Sequence, residues 1–203
     1  MRLNGRIMDV LENIKQYKVI LGSQSPRRKE LLAGLAIDFE VKTMPDIEET
    51  YPENLKREEI PMYIARQKAN AYKSLMSDDV LLITADTIVW LNGKVYGKPA
   101  DETDAKTMLR ALSGQTHEVI TGVCITSIQK QIIFHAVSSV KFAKLDENEI
   151  EYYIHKYRPY DKAGAYGVQE WIGYVGVESL NGSFYNVMGL PVRMLYNYLK
   201  YHL

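Results

Sequence analysis

Apolar positions along this chain recur at two spacings, every second residue in some stretches and every third or fourth in others. The switches between them mark out interleaved strands and helices. Lys18-Val19-Ile20-Leu21-Gly22 predicts a short buried strand. The residues behind it predict a helix from Arg27 to Ala33, with Ser25 as N-cap and Pro26 at the first helical position. Phe39-Glu40-Val41-Lys42 predicts a second strand, followed by an acidic loop over residues 45–54 that contains two prolines. Ile64, Ala65, Lys68, Ala71, Tyr72 and Leu75 repeat at three and four and predict a helix from about Pro61 to Met76. Val80 to Ala85 is short, continuous and apolar, which predicts a buried strand with Asp86 just past its end. Ile88–Leu91, Asn92-Gly93 and Lys94–Tyr96 predict a hairpin, because Asn-Gly favours the two-residue loop.

Further along, Asp101 to Leu112 reads as a helix, and two long alternating stretches, His117–Ser127 and Gln131–Phe142, read as strands. A helix starting at Leu145-Asp146 ends near Lys156, residues 161–189 are glycine-rich and expected to be irregular, and a last helix runs from Leu190 to Tyr201. At the start, Ile7, Val10, Leu11 and Ile14 stand at helical spacing and predict an amphipathic extension over residues 1–17, ahead of a domain spanning 18–203. Interleaved strands and helices give the class α/β, and long antiparallel strands after a βα start call for a mixed sheet rather than a parallel one.

At 203 residues the chain can bury a sizeable core, and 46% hydrophobic with 25% charged residues is ordinary for a globular protein. Lys+Arg and Asp+Glu both number 25, so the basic excess of a general nucleic-acid binder is missing, while a local basic cluster for a small anion remains open. A single cysteine, Cys124, excludes an intrachain disulfide, and its neighbours Val123 and Ile125 predict a buried thiol. No apolar run reaches the ~18–20 residues of a membrane span, and no signal-like apolar core opens the chain. The expectation is a cytoplasmic protein with no membrane association.

Ser23-Gln24-Ser25-Pro26-Arg27-Arg28 carries the clearest chemical signal. A helix start is electropositive, so two arginines there disfavour the helix unless an anion sits among the hydroxyls, backbone N–H groups and guanidinium forks. The alternative is a solvated basic helix start. Asp86 can bind a divalent cation, act as a base on water or simply close a turn. Glu48 and Glu49 are either solvated or, for one of them, a second oxygen ligand beside Asp86. Lys68 lies on or beside the apolar stripe of its helix, where its ammonium can snorkel or face a phosphate. Lys98 sits in a stiff Gly-Lys-Pro turn. Asp161-Lys162-Ala163-Gly164-Ala165-Tyr166-Gly167-Val168-Gln169 is either a packing loop or a base pocket in which Gln169 reads a base edge. His117, His135, His155 and His202 are scattered without zinc-ligand spacing, and neither a Walker-A loop, a Rossmann glycine pattern nor a Gly-x-Ser-x-Gly elbow around Ser23 is present.

Taken in order, several segments share one pattern: Ser23-x-Ser-Pro-Arg-Arg28-x-Glu-Leu-Leu32, Ala65-Arg66-x-Lys68-Ala69, Ala85-Asp86-Thr87-Ile88-Val89, Gly97-Lys98-Pro99, Leu112-Ser113-Gly114-x-Thr116-His117 with Thr121-Gly122-Val123, Asp161 to Gln169, and Asn181-Gly-Ser-Phe-Tyr-Asn-Val187-x-Gly189-Leu190-Pro191. Over residues 18–199 the chain resembles the Maf family of nucleoside triphosphate pyrophosphatases. The resemblance implies an elongated mixed β-sheet flanked by helices, in two lobes with a central cleft, similar to the inosine-triphosphatase-like fold. It implies hydrolysis of a nucleoside triphosphate to the monophosphate and pyrophosphate with Mg²⁺ or Mn²⁺ as cofactor, in a homodimer. The Ala-Asp-Thr segment and the late glutamine resemble the subgroup that prefers dTTP and UTP. By position, Asp86 matches the family's proton acceptor, while Ser23, Arg28, Glu49, Lys68 and Lys98 match its polar active-site ring. Arg27, Thr87 and Gln169 match the positions that set substrate preference. Asp86 and Glu49 would hold the cation. After Gln169 the family usually continues with glycine, whereas this chain has Glu170-Trp171-Ile172-Gly173. Two alternatives use the same residues: a nucleotide-binding regulator of cell division or stress without turnover, and a pyrophosphatase for a modified nucleotide such as a methylated guanosine or modified pyrimidine triphosphate.

Overall fold

The computed structural model describes residues 2–3, 6–7, 10–45 and 47–203. Two short strands, β1 (Arg2–Leu3) and β2 (Arg6–Ile7), pair antiparallel. The rest of the expected extension over residues 1–9 lies outside the described residues. Beyond it, Glu12–Ile14 forms one 3-10 turn rather than a stretch of amphipathic α-helix. Leu11 and Ile14 are buried in the main core as the spacing expects, whereas Val10 is exposed and the backbone is not α-helical.

The main sheet has seven strands: β3 (Lys18–Leu21), β4 (Phe39–Val41), β5 (Val80–Leu91), β6 (Lys94–Tyr96), β7 (Thr116–Thr126), β8 (Gln131–Phe142) and β9 (Val177–Asn181). Their order is β4-β3-β5-β7-β8-β9, with β6 also on β5. β3 is parallel to both β4 and β5, and every other pairing in the sheet is antiparallel, which is the mixed sheet expected of an α/β chain. The helices are α1 (Pro26–Ala33), α2 (Glu59–Ala71), α3 (Glu102–Leu112), α4 (Glu147–Tyr157), α5 (Trp171–Gly176), α6 (Phe184–Met188) and α7 (Val192–Tyr201).

Local chemistry accounts for most of these boundaries. Ser25 caps α1 by accepting from the Arg28 backbone N–H, Asp101 caps α3 through Asp104, and Asp146 with Glu149 forms a capping box on α4. Asn92 and Gly93 both take positive φ, which closes the β5–β6 hairpin. α2 begins two residues ahead of Pro61, because a proline in the first helical turn forfeits only an N–H that has no intrahelical partner there.

Two expectations are corrected. The strand expected to end at Ala85 continues to Leu91, so Asp86 lies in mid-strand rather than at a strand end. Asp86 and Thr87 are polar, yet Gly122 and Thr121 of β7 stand opposite them and the ladder runs on unbroken. The stretch 161–189 is less irregular than its glycines suggest, since it holds α5, α6 and the edge strand β9, which pairs with β8 around a register shift at Lys141/Phe142.

Side chains alternate across β5, and each face meets a different core. Leu81, Ile83, Ala85, Val89 and Leu91 belong to the large cluster that includes residues of α3, α4 and α7. Leu82 and Ile88 instead join Ile60, Ile64, Ala65 and Ala69 of α2. Thr84, on that same face, donates to the Ala65 carbonyl at 2.7 Å, which satisfies a fully buried hydroxyl. Gly122 lets α2 approach the sheet closely, because a Cβ there would stand 2.4 Å from Pro61 C and Met62 N. Gly122→Ala should lower stability by about 1–3 kcal/mol through overpacking against helix backbone, measured as a shift in urea midpoint with unchanged slope.

On β7, His117 is buried against Phe142 and Tyr166, with Nε2 2.8 Å from the Tyr166 hydroxyl. Burial holds its pKa down at about 4. The unfolded chain takes up a proton there below about pH 6.5 while the native state does not until about pH 4, so stability falls as pH drops through that window. The loss should reach on the order of 3 kcal/mol, and urea titrations of His117→Gln should show a flatter dependence between those pH values.

Candidate active site

The length of β5 creates the site. β3 pairs with it only as far as Leu21↔Ile83, and β6 joins the same edge only from Val89. Between them, Thr84 to Ile88 keep a strand neighbour on the β7 side alone. A cavity of about 570 Å³ opens at this gap. Because the gap interrupts the sheet, consecutive residues on opposite faces of β5, Asp86 toward α2 and Thr87 toward α1 and α6, both line it. The carboxyl end that faces the ligand space is therefore that of β3, where the chain leaves through Gly22 into Ser23 and α1.

Every sequence-predicted site residue except Glu48, which is solvated, lines this one cavity: Ser23, Arg27, Arg28, Glu49, Lys68, Asp86, Thr87, Lys98 and Gln169. Its cations are Arg27, Arg28, Lys68, Lys98 and Lys162, against the carboxylates Glu49, Asp86 and Asp161. A chain of zero formal net charge thus concentrates positive charge in its cleft, which favours a polyanionic ligand.

On the α1 side, Arg28 is held by three neutral acceptors. Its Nε donates to the Gly189 carbonyl at 2.9 Å, Nη2 to Thr87 Oγ1 at 3.0 Å and Nη1 to Ser23 Oγ at 3.5 Å. Burial pushes its pKa down, Asp86 raises it in part, and the guanidinium stays charged. Thr121 donates its one proton to the Asn186 carbonyl, so the 2.9 Å contact between Thr87 and Thr121 has Thr87 as donor. The Thr87 hydroxyl therefore gives its proton to Thr121 and a lone pair to Arg28, which makes it a brace for the arginine. Gly189, which ends α6 at positive φ, presents the carbonyl that receives Nε.

On the α2 side, one ammonium gathers two carboxylates. Lys68 Nζ lies 2.8 Å from Asp86 Oδ1 and 2.9 Å from Glu49 Oε1, and Lys98 Nζ stands 3.7 Å from Glu49 Oε2. Asp86 is 6% exposed. Lys68 thus extends into the cavity from the apolar stripe of α2 rather than toward solvent. Burial raises the Glu49 carboxyl, but Lys68, Lys98 and Arg28 together outweigh it and hold its pKa below the ordinary value. The loop that carries Glu49 is tethered at its base by Tyr72, whose hydroxyl donates to the Lys42 carbonyl at 2.8 Å and accepts from Met44 N at 3.1 Å.

On the third side, Arg27 binds Asp161 through Nη1 at 2.7 Å and its main-chain carbonyl through Nη2 at 3.2 Å. Asp161 also accepts from Lys162 Nζ at 2.8 Å. Burial raises the Asp161 carboxyl, and the Lys162 and Arg27 bonds reverse this and hold it at about 2. Gln169 follows, with Oε1 buried and without a partner among the described residues. Thr121, Asp161, Lys162 and Gly189 stand in motifs read from the sequence, which gave none of them a role of its own. Their only local signal is the charged pair that opens the glycine-rich stretch, since Thr121, Asp161 and Gly189 meet Thr87, Arg27 and Arg28 from 34 to 161 residues away, and Lys162 meets Glu170 across the loop.

A split mixed sheet with a cationic cleft facing two lysine-bound carboxylates defines an α/β protein built around an anion-binding cavity. A family model described as "Maf-like protein" matches residues 18–202, and the chain belongs to that family. A relative from Phocaeicola vulgatus named "dTTP/UTP pyrophosphatase" is 62% identical, covering 94% of this chain and 99% of its own. Relatives of the same name from Parabacteroides distasonis and Flavobacterium johnsoniae are 61% and 46% identical, covering 95% and 93% of this chain and 100% and 96% of their own. A solved Staphylococcus aureus Ham1 protein overlaps 62% of this chain and 72% of its own at TM-score 0.45 and 15% identity.

Lys68→Met should raise the Glu49 pKa toward the ordinary carboxylate range, because burial then acts against fewer cations. A carboxyl-carbon NMR titration of Glu49 in both proteins checks this.

Proposed function

We propose that this chain hydrolyses dTTP and UTP to the monophosphate and pyrophosphate. The observation that carries the reading is the pairing, across one cavity, of the Arg28 side with the two carboxylates held by Lys68. The relatives' common name supports the substrate class.

Ser23, Arg28 and the N-terminal turn of α1 receive the triphosphate, with Lys98 reaching its outer oxygens. Arg28 is fixed by Gly189 and Thr87 before substrate arrives, so little reorganisation accompanies the reaction. Asp86 takes a proton from a water as that water's oxygen bonds to the α-phosphorus. The bond from that phosphorus to the bridging oxygen breaks, and pyrophosphate leaves with the electron pair. Lys68 binds Asp86 Oδ1, and no hydrogen bond to Oδ2 is made among the described residues, so Oδ2 is the oxygen that serves the water.

A divalent cation fits this donor set only together with the substrate: Asp86 and Glu49 are two hard oxygen ligands gathered on one ammonium, and among the described residues no group of three or more ligating side chains is present. Asp86 and Glu49 would hold Mg²⁺ or Mn²⁺, with substrate oxygens completing the shell. When bound, the cation supplies charge neutralisation at the phosphates. Gln169, which lines the same cavity, is the group assigned to the base: its buried Oε1 has no partner among the described residues and calls for a donor, and the N3–H of uracil or thymine is one.

The test is pyrophosphate release from a panel of common and modified nucleoside triphosphates, with and without Mg²⁺. Asp86→Asn should keep its melting temperature within a few degrees and lose turnover of dTTP and UTP by ~10²-fold or more. Near-normal turnover in that variant removes Asp86 from the role. Tight nucleotide binding without turnover in the wild type favours a nucleotide-responsive regulator.

A further inference from the structure

Glu170 directly follows Gln169, the cavity-lining amide assigned above to the base. It occupies the N-cap position of α5, yet its side chain makes no capping bond. The carboxylate turns back beneath the 161–170 loop instead. Oε2 accepts from the Tyr153 hydroxyl, and Oε1 lies 3.2 Å from Lys162 Nζ.

The same Tyr153 hydroxyl accepts from Gly167 N at 2.9 Å, while Glu170 N donates to the Gly167 carbonyl at 2.9 Å. One fully buried hydroxyl therefore fastens the residues on either side of Val168-Gln169 and closes them into a single turn. Burial and the bond to Glu170 push the Tyr153 pKa far above its ordinary value, so the group remains a donor at any working pH. The turn also tolerates little change behind it. At Gly173 a Cβ would stand 1.8 Å from the Val168 carbonyl oxygen.

Glu170 also reaches Arg27, which lines the same cavity as Gln169. Lys162, 7% exposed, bridges Glu170 to Asp161, and Asp161 holds the Arg27 guanidinium at two points. Charges alternate along this path from Arg27 through Asp161 and Lys162 to Glu170, and the path ends on the Tyr153 hydroxyl. It lies apart from the Lys68, Asp86 and Glu49 group and touches no atom placed above in the chemical step.

We propose that Glu170 is a positioning residue for base selection, acting through Gln169 on one side and through Lys162 and Asp161 on Arg27. The proposal rests on the pyrophosphatase reading above. Without its carboxylate, Tyr153 loses its acceptor, Lys162 loses one of its two anionic partners, and the Gln169 amide and the Arg27 fork are released together. Ground-state recognition of the base weakens while the groups that act on the α-phosphorus keep their places.

Glu170→Ala and Glu170→Gln should be compared with the wild type for kcat and KM on dTTP, UTP, dCTP and dGTP, with melting temperatures recorded alongside. For Glu170→Ala, KM for dTTP and UTP should rise about tenfold and the preference over dCTP and dGTP should fall by a similar factor, with kcat changed by less than about twofold. Glu170→Gln should fall between the two, since its amide oxygen can still accept from Tyr153 but its neutral end no longer balances Lys162. Unchanged KM and preference in a folded Glu170→Ala, or a loss confined to kcat, overturns the proposal. If the alanine variant does not fold, the glutamine variant decides by the same KM and preference criteria. A wild type that hydrolyses none of the four overturns the pyrophosphatase reading and this proposal with it, whereas an active wild type with unaltered variants overturns this proposal alone.

Discussion

Everything at this site depends on one strand outlasting its neighbour. β5 runs for twelve residues while β3 accompanies it for four, and β6 covers the same edge only near its far end. The uncovered middle of β5 cannot close against another strand, so the space beside it becomes a cleft. A strand normally sends successive side chains to separate compartments. Here the missing neighbour merges the two compartments, and Asp86 and Thr87 serve one cavity from opposite faces. The antiparallel pairing with β7 on the other edge keeps this stretch rigid, with Gly122 admitting α2 close enough for Lys68 to meet Asp86.

The charges around the cleft divide into three groups with different partners. Arg28 is held by neutral acceptors, so its charge is only weakly compensated and remains available to an anion. Lys68 is shared between two carboxylates, which brings two oxygen donors to one place and keeps both ionised partners satisfied. Arg27 is tied into an alternating chain that leads away from the cleft to Tyr153 and Glu170. The three groups thereby rest on separate hydrogen-bond systems, which allows one to change with limited disturbance of the others.

Much of this was legible in the sequence because it is encoded locally. The Ser25 cap, the helix starts at Asp101 and Asp146, the Asn92-Gly93 turn and the apolar run of β5 all act within a few residues of themselves. The site residues were legible in part for the same reason. Two arginines in the first turn of a helix and an aspartate after an apolar strand are locally unfavourable or unusual, and such conflicts point to function. What local reading missed was the continuation of β5 through Asp86 and the strand β9, since both depend on partners elsewhere in the chain.

The sequence by itself determined the five longer helices (α1, α2, α3, α4 and α7), most strands, the α/β class and the residue types available for chemistry, because propensity, capping and hydrophobic period act over one or two turns of chain. Only the tertiary structure decided which of those residues meet. Lys68 chooses between solvent and Asp86, Thr87 between ligand and Arg28, and Glu170 between capping α5 and bracing the turn from Gly167 to Glu170. Those choices are made by where β3 stops, how closely α2 packs on β7 and where Tyr153 of α4 meets the 161–170 loop, and such long-range pairings leave no periodic trace in the residues they join.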